Sequence, residues 1–303
     1  MMRRVTILGT GALGTLFAAR LGRTLGVTVG GTWTEGLAAL ARRGARVEGE
    51  AEVPVDARPL EALDTPADLV LVLVKAGQTA AVAPVAARLL APGGLVVTLQ
   101  NGLGARAILA AAAGAARVGA GVTTVGATLL APGLVRAFPG HVVLEAHASA
   151  HLAALADALV RAGLPTATVP DLEPHVWRKL AVNCALNAVT AVLDVPNGAV
   201  LDDPPARALA EAAAREVAAV ARARGVVLPG DPAVDALSVA RRTAANRSSM
   251  LRDLDRGVPT EIEFLNGAVV REGQALGVAT PVNARLTRQV LDLSAAGARK
   301  VLS

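Results

Sequence analysis

Tyrosine is absent from this 303-residue chain, aromatic residues make up only 2% of it, and it holds a single cysteine. Without aromatic platforms, recognition of nucleic acid by base stacking is excluded as the main mode. One cysteine, Cys184, cannot close an internal disulfide, so the chain is expected in a reducing compartment. Cys184 lies in an apolar helical run and is a poor candidate nucleophile. No apolar stretch reaches the length needed to span a bilayer. Met1-Met-Arg-Arg4 leads straight into a strand, without the pattern of a secretory signal. A soluble, cytoplasmic protein that binds neither nucleic acid nor membrane is the expectation. Lysine is also scarce: of thirty basic residues only Lys75, Lys179 and Lys300 are lysines. A chain that draws nearly all its positive charge from arginine keeps lysine where a guanidinium will not serve. An ammonium can be desolvated and can release its proton near neutral pH, and a guanidinium cannot. Lys300 needs no such reading, since some lysine must fall on the surface.

What is abundant is apolar: 53% of residues, against 18% charged, which excludes a disordered chain. The core must be built from Ala, Val and Leu. The excess of five positive charges is modest and spread along the chain, compatible with an anionic small ligand. The length predicts two domains. In the first half, short β-branched runs (Arg4–Leu8, Val27–Gly30, Leu69–Val74, Leu95–Leu99, Arg117–Val122) alternate with helical stretches, which predicts a parallel sheet covered on both faces. Pro132-Gly133 and Pro139-Gly140 read as turns joining antiparallel strands, and Ser149–Ala162 and Pro165–Val169 as a helix and a last strand. From Asp171 onward helical periodicity dominates, with helices over Pro204–Arg224, Asp231–Asn246, Thr260–Leu276 and Asn283–Leu293. The expected fold is α/β: a Rossmann-type dinucleotide-binding domain over 1–170, then an all-helical domain over 171–303.

The chain opens with Gly9-Thr10-Gly11-Ala12-Leu13-Gly14, a G-x-G-x-x-G placed between a strand and a helix. In that setting Gly9 permits the tight turn, Gly11 lets a pyrophosphate approach the backbone, and Gly14 lets the helix pack on the sheet. The helix N-terminus then offers free amides and partial positive charge to the phosphates. The second strand ends Gly30-Gly31-Thr32-Trp33-Thr34-Glu35. It carries neither the acidic residue usual for NAD nor an adjacent arginine for NADP. Thr32 and Thr34 could hydrogen-bond a 2′-phosphate, and Glu35 a ribose hydroxyl or nothing but the next helix; Arg42 and Arg43 fall too far along that helix.

Further candidates stand at strand ends and on one helix. Lys75 closes the apolar run from Ala67, and Asn101 the next strand, both at the sheet edge where open α/β folds bind ligands. Asn101-Gly102 is also an ordinary turn dipeptide. Lys179, Asn183 and Asn187 recur at i, i+4 and i+8, a polar stripe on an otherwise apolar helix, suited to lining a cleft. Asp194-Val-Pro-Asn197-Gly198 is a turn that could bring Asn197 to the same place. Ser248 and Ser249 follow a helix and precede a short connection. Thr260 and Glu263 fit a capping box, which leaves Glu261 without a structural role. The four histidines form no spaced pair, so no metal site and no hydrolase triad is expected.

These segments together resemble the ketopantoate reductase (2-dehydropantoate 2-reductase) family. The matching residues are Gly9–Gly14, Val74-Lys-Ala-Gly-Gln-Thr79, Gln100-Asn-Gly-Leu-Gly104, Trp177-Arg-Lys179 with Asn183 and Asn187, Asn197-Gly198, Asn246-Arg-Ser-Ser-Met250 and Thr260-Glu-Ile-Glu263 with Asn266-Gly267. They run in family order along nearly the whole chain. The resemblance implies reduction of 2-dehydropantoate to (R)-pantoate, a step towards coenzyme A, with NADPH as cofactor and NADH as the second choice. It implies Lys179 as general acid, with Glu261 tuning lysine and substrate. Ser249 would hold the substrate carboxylate; Asn183, Asn187 and Asn197 would orient its hydroxyl and carbonyl. Lys75 and Asn101 would serve cofactor and substrate. A homodimer is left open. The departure is Gly31-Thr-Trp-Thr34, where many members carry an arginine. Competing readings are another dehydrogenase of 2-keto or β-hydroxy acids, and a non-catalytic dinucleotide-binding regulator. The regulator would lack the Lys179 stripe and would carry a basic recognition helix.

Overall fold

The computed structural model describes residues 2–301, with side chains placed through residue 296, so the side chain of Lys300 lies outside the described set. The chain divides into two compact units, one of Met1–Gln100 and Gly104–Leu172, the other of Asn101–Leu103 and Glu173–Ser303.

The first unit is a sheet-centred α/β fold. Its elements in order are β1 (Arg4–Leu8), α1 (Ala12–Leu21), β2 (Gly26–Gly31), α2 (Thr34–Arg43), β3 (Arg46–Val47), β4 (Asp56–Pro59), β5 (Ala67–Val72), α3 (Thr79–Arg88), β6 (Leu90–Thr98), α4 (Ala105–Ala113), β7 (Val118–Thr123), β8 (Gly126–Ala131), β9 (Leu134–Phe138), β10 (Val142–Glu145), α5 (Ala150–Arg161) and β11 (Thr166–Val169). Eight strands form the main sheet in the order β11-β10-β7-β6-β5-β1-β2-β4. All pairs in it are parallel except β7 with β10. The central strands are buried on both faces, which is why they read as unbroken Val/Leu runs rather than alternating ones.

The Pro-Gly turns behave differently from one another. Pro132-Gly133 does join the antiparallel pair β8 and β9. Pro139-Gly140 does not make a hairpin: β9 lies in a separate three-stranded sheet with β3 and β8, and β10 returns to pair with β7. A side chain at Gly140 would press on the backbone of Thr124 and Val125, so the crossing needs glycine for close approach. The short strands β3 and β4 went unread in the sequence because neither has an alternating apolar pattern.

The second unit contains α6 (Glu173–Leu193), α7 (Ala199–Asp202), α8 (Pro204–Ala223), α9 (Pro232–Arg242), α10 (Ser249–Asp255), α11 (Asn266–Leu276) and α12 (Pro281–Val301). Helix α6 is its centre, packed by α8, α9, α10 and α12. Small residues make that possible: Ala181, Ala185 and Ala188 on α6, with Ala206, Ala210, Ala213 and Ala214 on α8, are all buried. Asp203 and Asp231 cap α8 and α9, each followed by a proline in the first turn. Three expectations are corrected. The helix from Asp231 stops at Arg242 rather than Asn246. Ser249 opens a helix of its own, α10, where a short connection was expected. Thr260–Leu276 is not one helix: a 3₁₀ turn over Ile262–Phe264 is separated from α11 by Leu265 at φ −102°, ψ −100°. No side chain caps that turn, so Thr260 and Glu263 form no capping box. Among the described residues no helix is long and apolar enough to cross a membrane.

Candidate functional site

Beyond β1 the chain turns at Gly9, whose φ of +132° and approach to the Leu73 backbone both require glycine. Its amide donates to the Gly30 carbonyl at 2.8 Å, fastening the turn to β2. Gly14 lies so close to the Gly9 carbonyl that an added Cβ would stand 1.8 Å from its oxygen. Gly11 is different: exposed, just before α1, with nothing within 4 Å of the position a Cβ would take. The space above the helix N-terminus is therefore open while the turn beneath it is tightly packed. This fits a dinucleotide pyrophosphate, which needs bare backbone amides from Ala12, Leu13 and their neighbours.

At the end of β2, Thr32 is exposed and Trp33 covers Gly36 at the start of α2. Thr34 and Glu35 occupy the exposed first turn of α2. Arg42 and Arg43 are in its last turn, and Arg43 is bound to Glu52. Neither of these two arginines thus stands just beyond β2. Lys75, half-buried, precedes the 3₁₀ turn Ala76–Gln78. That turn is held by Gln100, whose Nε2 donates to the Val74 carbonyl at 2.8 Å and to Thr79 Oγ1 at 2.9 Å. Thr79 in turn donates to the Ala76 carbonyl at 2.7 Å. The sequence reading gave no role to Gln100 or Thr79. The available signal was a polar residue at a strand end beside Asn101 and another at the first position of a helix.

Within the second unit the candidates converge on α6. Lys179 Nζ donates to Asn101 Oδ1 at 2.7 Å, and Asn101 Nδ2 donates to Glu261 Oε2 at 3.1 Å. Asn101 therefore links ammonium and carboxylate through one amide. Its segment is pinned by the Leu103 amide donating to the Phe264 carbonyl, and Gly102 (φ +80°) touches that same carbonyl. Lys179 is half-buried, and loss of hydration lowers its pKa from 10.5 to about 8; the Glu261 carboxylate opposes that fall. Burial acts the other way on Cys184 and pushes its thiol well up, so it remains protonated.

Asn183 and Asn187 follow Lys179 along the stripe, half-buried, and their side chains make no hydrogen bond among the described residues. Asn197 is buried; its Nδ2 donates to Thr243 Oγ1 at 2.9 Å, while its Oδ1 has no partner among the described residues. Its amide donates to the Asn246 carbonyl, joining the Asp194–Gly198 turn to the segment before α10. Ser249 is exposed at the first position of α10. The buried neighbour Ser248 does the structural work: its Oγ accepts from Thr190 Oγ1 at 2.8 Å and from the Leu251 amide at 3.2 Å. It thereby fixes the start of α10 beside the far end of the stripe. Ser248 was not singled out over Ser249 by sequence, because only a structure tells which of two adjacent serines faces inward.

Residues 5–151 match the family profile described as ketopantoate reductase PanE/ApbA, and residues 171–293 its C-terminal counterpart. The chain is 38% identical over 288 residues to a 2-dehydropantoate 2-reductase of Halobacterium salinarum, covering 92% of this chain and 95% of the relative. The chain belongs to the ketopantoate reductase family. Among solved structures, a PanE/ApbA family ketopantoate reductase from Ralstonia eutropha is similar with a TM-score of 0.88 and 32% identity, over 97% of this chain and 99% of that one. A D-mandelate dehydrogenase in ternary complex with NADH and anilino(oxo)acetate is similar with a TM-score of 0.92 and 25% identity, over the same shares. The chain thus resembles, over nearly its whole length, solved enzymes whose names differ in the acid they handle.

Proposed function

We propose that the chain reduces 2-dehydropantoate to pantoate with NADPH. The observation that carries this reading is the α6 stripe: an ammonium held by Asn101 and tuned by Glu261, followed by two half-buried carboxamides with no partner among the described residues. The dinucleotide, when bound, supplies the hydride. Gly9–Gly14 would hold its pyrophosphate, Thr32 and Thr34 would offer hydroxyls to a 2′-phosphate, and Lys75 and Asn101 would serve the nicotinamide end. Lys179 gives its proton to the oxygen of the 2-carbonyl as charge develops there, and its ammonium stabilises that charge before transfer. Asn101 keeps Nζ aimed, and Glu261 keeps the lysine protonated near neutral pH. Ser249 takes the substrate carboxylate. Asn183, Asn187 and Asn197 take the hydroxyl and orient the carbonyl.

A site built to hydrogen-bond a hydroxyl rejects an analogue without it, because its buried polar groups are then left unpaired. The test compares kcat/KM for ketopantoate with that for 2-keto-3-methylbutanoate at saturating NADPH. A preference of about 100-fold or more for ketopantoate is expected. Equal efficiencies would make this a general 2-keto-acid reductase.

A further inference from the structure

Asn266 lies wholly buried at the first position of α11, five residues after Glu261. Its Nδ2 donates to the Cys184 carbonyl at 3.1 Å, in the middle of α6 between Asn183 and Asn187. The same nitrogen donates to Asn283 Oδ1 at 2.9 Å. Asn283, also wholly buried, donates to the Ala213 carbonyl at 3.1 Å and to Glu216 Oε2 at 2.7 Å. Glu216 closes the network by accepting from the Val282 and Asn283 amides in the first turn of α12. Buried polar groups of this kind are costly unless paired, and where paired they fix one arrangement of the elements they join; only the Nδ2 of Asn266 is paired, its Oδ1 having no partner among the described residues. Here the joined elements are α6, which carries Lys179 and the carboxamides, and the segment that carries Glu261. No continuous helix holds that segment in place, because the chain breaks at Leu265 between the 3₁₀ turn and α11. Packing of Ile262 and Leu265 supplies burial without direction; the Leu103 amide on the Phe264 carbonyl ties the segment to the Asn101 stretch, and the bond to Cys184 sets its register on α6.

We infer that Asn266 is a positioning residue: it sets the Glu261 segment in register with α6, and so fixes the keto-acid site from behind. The inference rests on the keto-acid reading for its kinetic consequence, though not for its geometry. The two parts of the network separate the positioning role from a merely structural one. Asn266→Leu removes the bond to α6; Asn283→Leu breaks the same buried network and leaves that bond in place. Both variants would be assayed with ketopantoate, with 2-keto-3-methylbutanoate and for dinucleotide binding by calorimetry. Asn266→Leu should raise KM for ketopantoate about tenfold or more and narrow the preference for it. Dinucleotide affinity should stay within about twofold. Asn283→Leu should lose thermal stability but keep the wild-type KM and preference. Three lysines in the chain make a second readout practical: in protein carrying 13C-labelled lysine, the ε-methylene signal of Lys179 should move at pH 7 in Asn266→Leu and not in Asn283→Leu. Should Asn266→Leu fail to fold, Asn266→Ala replaces it, removing the amide without adding branched bulk. Wild-type kinetics and an unmoved Lys179 signal in the Asn266 variant would overturn the inference, as would an Asn283 variant that reproduced every change. If the wild type does not reduce ketopantoate, the substrate reading falls and the labelled-lysine comparison alone decides the positioning role.

Discussion

Raising the pH through 8 should switch off reduction, and the slope identifies the group. With a pKa of about 8, Lys179 is about nine-tenths protonated at pH 7 and about one-tenth protonated at pH 9. A reaction that needs its proton therefore loses about tenfold in kcat/KM for each pH unit above 8. An ordinary lysine, at 10.5, would hold the rate flat to about pH 10. The reverse reaction, oxidation of pantoate, needs the free amine and should climb over the same interval. The assay follows dinucleotide absorbance at several pH values, with substrate well below KM and dinucleotide saturating. Glu261→Gln removes the charge that keeps the proton on Lys179, so its descending limb should move to lower pH. The size follows from Coulomb's law. Glu261 and Lys179 bond the two ends of the Asn101 amide, at 3.1 and 2.7 Å, which sets their charges at most about 8 Å apart. At an effective dielectric constant of about 20 that separation is worth about 2 kcal/mol, or a displacement of one to two pH units. Lys179→Ala should abolish the limb and lower turnover by about 10²–10⁴. A profile flat to pH 10 in the wild type, or an unchanged limb in Lys179→Ala, would refute the assignment of the acid.

Other outcomes are equally open to measurement. Gly11→Val should fold, since its side chain enters open space, yet show no dinucleotide binding by calorimetry; unchanged affinity in the folded variant would dispose of the fingerprint reading. Gly14→Ala should instead lose about 2 kcal/mol or more of stability in denaturant melts, because its Cβ meets the Gly9 carbonyl. Lys179→Met should melt above the wild type at pH 7. The folded wild type holds the lysine proton less tightly than the unfolded chain, so it carries about 1–3 kcal/mol of penalty in full below pH 8, relieved as pH rises from 8 to 10.5. Equal melting temperatures at pH 7 would count against a desolvated ammonium. NADPH should exceed NADH in kcat/KM, but by less than an arginine would give, since neutral hydroxyls grip a phosphate more weakly than a charge does; the opposite order would reverse the cofactor assignment.

What could be read from sequence divides along physical lines. The parallel strands were legible because burial on both faces makes them continuous Val/Leu runs, and the Lys179-Asn183-Asn187 stripe because helical spacing is local. The fate of Pro139-Gly140 was not, because a proline-glycine pair marks a turn without saying which strand comes next to which. The break at Leu265 was hidden for a related reason. Thr260 to Leu276 has the composition of one helix, and what splits it is the anchoring of Phe264 and Asn266 to Leu103 and Cys184, residues far away in sequence. Gln100 and Ser248 were given no role because their work is to hold neighbours, and nothing in a one-dimensional pattern distinguishes a serine that faces inward from the one beside it.

The three residues Asn101, Gly102 and Leu103 follow a strand of the first unit in sequence but belong to the second. Anyone who clips the chain at residue 172 and expresses the helical half alone obtains α6 with its lysine but without the amide that receives it. The module boundary is thus a matter of two separate stretches of gene, not one. A chimaera that exchanges the chain up to residue 172 between relatives carries a foreign Asn101 equivalent into the immediate company of Lys179. Grafts that keep this tripeptide with its native helices should therefore retain the proton-transfer behaviour of the helical parent, and grafts cut only at the obvious seam should inherit a hybrid.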